Sequence, residues 1–151
     1  MIVYLDASAL VKRYVAEVGS VEVNVLIAQA DAIGTAVISR AEVAAALGKA
    51  VRMGALPRDE AQAALQVFYA QWPDLVRLQL TEVILAQAGV LAWDHGLRGY
   101  DAVHLAVARF WQSSLGEPVT LAAFDRQLWQ ASRAVGLVAW PEDLAPFVGR
   151  T

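Results

Sequence analysis

The chain has 151 residues, a formal net charge of −3, 58% hydrophobic and 18% charged residues, and no cysteine. Those figures exclude a disordered chain, a disulfide-stapled or cysteine-zinc scaffold, and bulk electrostatic capture of nucleic acid; the length suits a single domain over residues 1–151 with a proper core. No apolar run reaches the roughly 18 residues needed to cross a bilayer, and the N-terminus carries no basic n-region or A-x-A-type cleavage site, so a cytoplasmic address without membrane contact is expected.

Ile2 to Leu5 is a continuous apolar run, the pattern of a strand covered on both faces. Ala7 to Tyr14 reads as a short helix, Gly19-Ser20 as a break, and Val21 to Ala30 as a second helix. Ile33 to Ile38 is a strand candidate. Ser39 then opens a helix with an apolar stripe at Val43, Leu47, Ala50 and Val51, ended by Gly54. Pro57 precedes a helix over Arg58 to Gln71, stopped by Trp72-Pro73; Leu75 to Leu80 alternates like a strand. Thr81 caps a helix to about Trp93, and Asp94-His95-Gly96 is a turn. Asp101 to Gln112 is apolar nearly all round, the mark of a buried central helix. Pro118 to Phe124 is a strand, Asp125 to Ala134 a helix, and Gly136 to Trp140 a last short strand. Strands alternating with helices imply an α/β fold, a parallel β-sheet sandwiched by helices in three layers.

Four acids, Asp6, Glu42, Asp101 and Asp125, stand where strands or loops pass into helices. In a parallel sheet these junctions gather at the carboxyl ends of the strands, where ligands bind. Carboxylates brought together there repel; two unit charges about 4 Å apart cost about 4 kcal/mol at an effective dielectric near 20. Oxygen ligands of this kind suit Mg²⁺ or Mn²⁺ and metal-assisted phosphodiester hydrolysis. Helix capping competes as an explanation for each acid alone. Asp6, Asp101 and Asp125 fall at N-cap positions, and Ser39-x-x-Glu42 matches a capping box. Capping does not require acids at all four junctions, since Ser, Thr and Asn serve as well.

The segment Asp6-Ala7-Ser8-Ala9-Leu10-Val11-Lys12-Arg13-Tyr14 resembles the opening of PIN-domain ribonucleases, the toxin half of VapBC toxin–antitoxin pairs. Ser39-Arg40-Ala41-Glu42-Val43, Leu97 to Ala106 and Leu121 to Leu128 resemble their second, third and fourth motifs, so that the likeness covers nearly the whole chain in the right order. One position departs: two before Asp125, where the family often has Ser or Thr, stands Ala123. The resemblance implies a PIN-like fold and a Mg²⁺- or Mn²⁺-dependent ribonuclease cutting single-stranded or looped RNA to 5′-phosphate and 3′-hydroxyl ends. Asp6 and Asp101 would be the main metal ligands. Asp125 would complete the cluster directly or through water, and Glu42 would ligate through water or orient the attacking water. Ser8 would orient a carboxylate, with an ordinary helix-start serine as the alternative. A cognate antitoxin would be the partner, and the high apolar fraction adds a homodimer.

Lys12, Arg13, Arg40 and Arg98 lie near three of the acids in sequence. Contact with RNA phosphates and simple charge compensation both explain them, with Arg13 leaning to the second. His104, one helical turn after Asp101, reads as a packed, hydrogen-bonded histidine; His95 reads as exposed. Among the five tryptophans Trp72, beside Pro73, is expected to be the most exposed. The helices 21–30 and 58–71 carry more apolar residues than one buried face needs, which suits a groove for an amphipathic segment. A non-catalytic PIN-like RNA-binding or scaffold module is the alternative function. An aspartyl-phosphate enzyme fits poorly: Ser8 stands where a second Asp would be needed, and no Lys follows Lys49.

Overall fold

Val3, Tyr4 and Leu5 have no exposed surface because helices cover both faces of the strand they form, β1 (Ile2–Leu5). The computed structural model describes residues 1–149. β1 is the middle of a five-stranded sheet with β2 (Ala32–Ala36), β3 (Val76–Leu78), β4 (Val119–Ala122) and β5 (Val138–Trp140), in the order β3-β2-β1-β4-β5. Every pairing is parallel, with Ile2 opposite both Ala32 and Val119.

Side chains alternate across a strand, so β1 feeds two cores. Tyr4 packs with residues of α5 (Glu82–His95), α6 (Gly99–Leu115) and α7 (Arg126–Ala134). Val3 and Leu5 pack with α1 (Ala7–Val11), α2 (Ser20–Gln29), α3 (Ser39–Arg52) and α4 (Arg58–Gln71). The result is the three-layer α/β arrangement expected from the sequence. Gly34 in β2 leaves room for the Trp111 ring of α6; a Cβ there would lie 2.7 Å from it. No described helix is long and apolar enough to cross a membrane.

The chain runs from β1 to β2 on one side and returns to β4 on the other, so the sheet order reverses at β1. A crevice opens at such a switch point, outside the carboxyl ends of the strands. Asp6 follows β1 directly, and its backbone N–H donates to the Ala122 carbonyl at the end of β4.

Several expectations need correction. The first helix ends at Val11 rather than Tyr14 and passes into turns, and β2 and β3 are shorter than expected. α6 starts at Gly99, which places Asp101 inside the first turn instead of at the cap. The Ser39–Glu42 capping box does not form: Ile38 is the N-cap of α3 and makes no side-chain bond. Ser39 instead exchanges a 2.6 Å hydroxyl bond with Thr35, four residues earlier. Trp72 is only 7% exposed, because a 3₁₀ turn over Trp72–Asp74 folds its ring edge-on against Phe68. Trp93 is the exposed one, at 88%.

Candidate active site

Asp6 is buried at the end of β1 and accepts two hydrogen bonds on Oδ1, from the Ala9 N–H at 2.9 Å and the Ser8 hydroxyl at 2.7 Å. The first is a capping bond, so Asp6 caps α1 while facing the crevice. Ser8 Oγ in turn accepts from the Phe124 N–H at 3.3 Å, tying the Asp6 carboxylate to the loop after β4. Burial raises the Asp6 pKa from 3.8 to about 6, against the lowering influence of His104, the Ala9 N–H and Ser8; the nearby Asp101 charge adds to the rise.

Asp101 is also buried, on the first turn of α6. It caps nothing. Burial and the Asp125 charge push its pKa up, while Arg98 and His104 pull it down. Asp125 caps α7 through the Leu128 N–H at 3.0 Å. Arg98 spans the two acids: Nε donates to Asp101 Oδ2 at 3.1 Å and Nη2 to Asp125 Oδ2 at 2.9 Å. Glu42, on the first turn of α3, meets His104 Nε2 at 2.7 Å. His104 lies one turn beyond Asp101 on α6, and its Nδ1 bonds the Tyr4 hydroxyl at 2.6 Å. Burial lowers the His104 pKa, but the Glu42 bond and the charges of Asp6, Glu42 and Asp101 outweigh it, and the net direction is up.

Four elements therefore deliver acids to one sheet edge, with one arginine and one histidine among them. A family model described as "PIN domain" matches residues 3–132. This chain belongs to the PIN-domain family. Ribonuclease VapC45 and Ribonuclease VapC49 of two Mycobacterium tuberculosis strains, CDC 1551 / Oshkosh and H37Rv, are each 36% identical to it over 146 residues, covering 96% of this chain and 99% of theirs. Ribonuclease VapC3 of Pyrobaculum aerophilum is 36% identical over 124 residues, covering 82% of this chain and 89% of its own. The crystal structure of PAE2754 from Pyrobaculum aerophilum superposes with a TM-score of 0.63 at 21% identity, covering 92% of this chain and 83% of that one. FitAcB from Neisseria gonorrhoeae gives 0.60 at 17%, covering 91% and 96%. At those identities the two structures share the fold.

The PIN-domain acids differ in what holds them. Among the described residues no three His, Asp or Glu form a group set to hold an ion; Asp101 and Asp125 are both bonded to Arg98, and Glu42 to His104. The donor set still fits a hard divalent cation: it is all carboxylate oxygen, and burial makes two of its members costly as bare anions. Asp6, Asp101 and Asp125 would hold the ion, Asp101 and Asp125 after exchanging Arg98 for it.

The basic residues separate. Arg98 is in the cluster. Lys12 is bound to Glu17 at 3.0 Å and the Val18 carbonyl at 2.8 Å, with its ammonium over the Phe124 ring. Arg40 is exposed on the turn that carries Glu42, its guanidinium 4.1 Å from the Tyr69 ring centroid. Arg13 donates to Gln71 at 3.2 Å. Ala123 is fully buried in the α5–α7 core, so Asp125 is positioned by Leu128 and Arg98 without help from a hydroxyl there. His104 is packed and hydrogen-bonded as the sequence suggested, and His95 is half-buried rather than exposed. The pairing of His104 with Glu42 and Tyr4 was not foreseen. The one signal for it was the three-residue spacing from Asp101.

Proposed function

We propose that this chain is a single-domain, Mg²⁺- or Mn²⁺-dependent endoribonuclease and the toxin of a type II toxin–antitoxin pair, working in the cytoplasm. The observation that carries this reading is the convergence of Asp6, Glu42, Asp101 and Asp125 at the switch point of the sheet, in a chain 36% identical over almost its full length to VapC ribonucleases. The cation, when bound, makes water more acidic and offsets charge growing on the phosphate. The residues of the chain bind and orient. Asp6, Asp101 and Asp125 would hold the ion, Ser8 fixes the Asp6 carboxylate, and Glu42 would orient the attacking water. That water would add its oxygen to phosphorus as the bond to the 3′-oxygen breaks, a proton given up by the water being balanced by one taken up at the leaving 3′-oxygen, which gives 5′-phosphate and 3′-hydroxyl ends on single-stranded or looped RNA. Arg98 and Arg40, both exposed, would contact RNA phosphates; Lys12, half-buried and already bonded to Glu17 and the Val18 carbonyl, is less available for such a part.

Two surfaces support partners. Val83, Val90 and Trp93 lie exposed along the outer side of α5, which suits a homodimer contact. The groove that suits an amphipathic antitoxin segment lies between α3 and α4 rather than between the helices 21–30 and 58–71: it holds about 310 Å³ and is lined by Leu47, Val51, Ala61 and Leu65 together with Arg52 and Arg58. The test is cleavage of single-stranded RNA by purified protein with EDTA, then with Mg²⁺ or Mn²⁺. Cleavage that needs the ion, is absent in Asp101→Asn and is blocked by the adjacent gene product supports the reading. A folded wild type that never cuts RNA leaves the non-catalytic module as the better description.

A further inference from the structure

We infer that His104, supported by Tyr4, is a positioning residue that holds the Glu42 carboxylate at the rim of the acid cluster. This rests on the nuclease reading of Glu42 given above. The hydrogen-bonded chain crosses all three layers. Tyr4 rises from β1 on the α6 side, its hydroxyl 2.6 Å from His104 Nδ1, and His104 Nε2 lies 2.7 Å from Glu42 Oε1 on α3. The separations in sequence are 100 and 62 residues, so no local capping or turn requirement explains the contacts.

Chemistry fixes the direction of the bond. An ionised carboxylate only accepts, so Nε2 must carry a hydrogen. A neutral His104 then leaves Nδ1 as the acceptor of the Tyr4 O–H, and a protonated one donates from both nitrogens. Either way Nε2–H points at Glu42. Tyr4 and His104 are both fully buried and meet edge to face with ring centroids 5.8 Å apart, so neither ring is free to turn. Glu42 is different: it is partly exposed and has three side-chain torsions. No other residue gives its carboxylate a hydrogen bond among those described, and it makes no bond to Ser39. A flexible acid is thus anchored at one oxygen by a rigid donor, which leaves the other oxygen for water. Partners of this kind set the orientation of groups around a metal site.

The chain has two histidines, so ¹⁵N imidazole spectra of the full-length, metal-free protein can be assigned with His95→Gln. We expect His104 Nε2 to be protonated at neutral pH, with its proton protected from exchange, and Glu42→Leu to remove that protection. An unprotonated Nε2, or a proton indifferent to Glu42→Leu, overturns the inference. In steady-state RNA cleavage His104→Leu should lower kcat about 10–100-fold at little-changed KM. His104→Gln, whose amide N–H reaches the place of Nε2, should restore most of it. Equal losses in both variants, or a change in KM alone, would mean a packing role only. If His104→Leu does not fold, Tyr4→Phe keeps the ring and removes the hydroxyl; it should speed exchange of the Nε2 proton by freeing the imidazole at Nδ1 and cause a partial loss of kcat, and unchanged values of both refute the support from Tyr4. A wild type without metal-dependent cleavage defeats the nuclease reading instead, and the spectra then decide by themselves whether His104 holds Glu42.

Discussion

Arg98 Nη2 lies 2.9 Å from Asp125 Oδ2 while its Nε donates to Asp101, so one guanidinium joins acids carried by two different helices. Both bonds use carboxylate oxygens that a cation would need. The Arg98 side chain is 57% exposed, and an exposed pair of this kind is worth about 1 kcal/mol or less. The bridge is therefore weak enough to open for a divalent ion and strong enough to oppose it. Arg98→Gln is expected to tighten Mn²⁺ binding about fivefold, the equivalent of about 1 kcal/mol, while weakening RNA binding. Calorimetric titration with Mn²⁺ checks the first part; unchanged or weaker ion binding would show that Arg98 does not compete.

Asp101 caps nothing in this fold, and its pairing with the exposed Arg98 offsets only part of what burial and the Asp125 charge cost its anion. Replacing it by Asn removes repulsion with Asp125 and an anion that burial disfavours. Asp101→Asn should leave the metal-free protein as stable as the wild type or more so. It should also abolish most of the rise in melting temperature that Mn²⁺ gives the wild type, since an ion that binds only the folded state stabilises it in proportion to its affinity. Melting curves with EDTA and with millimolar Mn²⁺ test both statements, and a clearly less stable variant that keeps its metal shift contradicts them.

Asp6 predicts how stability depends on pH. A carboxyl whose folded-state pKa lies above its unfolded value holds its proton more tightly in the fold, so it adds stability at low pH and loses it as pH rises through the folded value. For Asp6 the window runs from 3.8 to about 6, an effect of about 3 kcal/mol. His104 and Asp101, both raised, act in the same direction. The metal-free protein should therefore resist urea better at pH 5 than at pH 7.5, and Asp6→Asn should flatten that slope. Ion binding should weaken on acidification below about 6, as protons compete for Asp6. A wild-type stability that climbs from pH 5 to 7.5 without metal would contradict this account.

The strands and the four acids were legible because both are written in local sequence. Ile2–Leu5 is apolar on both faces wherever it sits, and an acid following a strand is visible without knowing the strand order. What the acids bind was not legible. Glu42 reads as half of a capping box, yet Ser39 turns to Thr35 and Glu42 to His104, partners fixed by how α3 and α6 meet over the sheet. Asp101 reads as a cap because Gly99-Tyr100 looks like a turn, but those two residues are already helical. Trp72 looks exposed beside Pro73, but the helical path continues through it as a 3₁₀ turn and sets its ring edge-on against Phe68, one turn earlier at the end of α4.

Gly34 offers a test of the frame under the site. An alanine Cβ at this position would come within 2.7 Å of two ring carbons of Trp111, a buried residue of the helix that carries Asp101 and His104. Two effects oppose each other. Alanine restricts the unfolded chain, a gain of about 0.4–1 kcal/mol where the native geometry tolerates it. Overpacking a filled core costs about 1–3 kcal/mol, and the Trp111 ring has no free end to swing away. The cost wins, so Gly34→Ala should be less stable by about 1–2 kcal/mol in urea unfolding. Trp111→Phe, which shortens the offending ring, should recover part of that loss in the double variant beyond what the two single changes predict. Simple additivity between the two would show that the alanine is accommodated elsewhere.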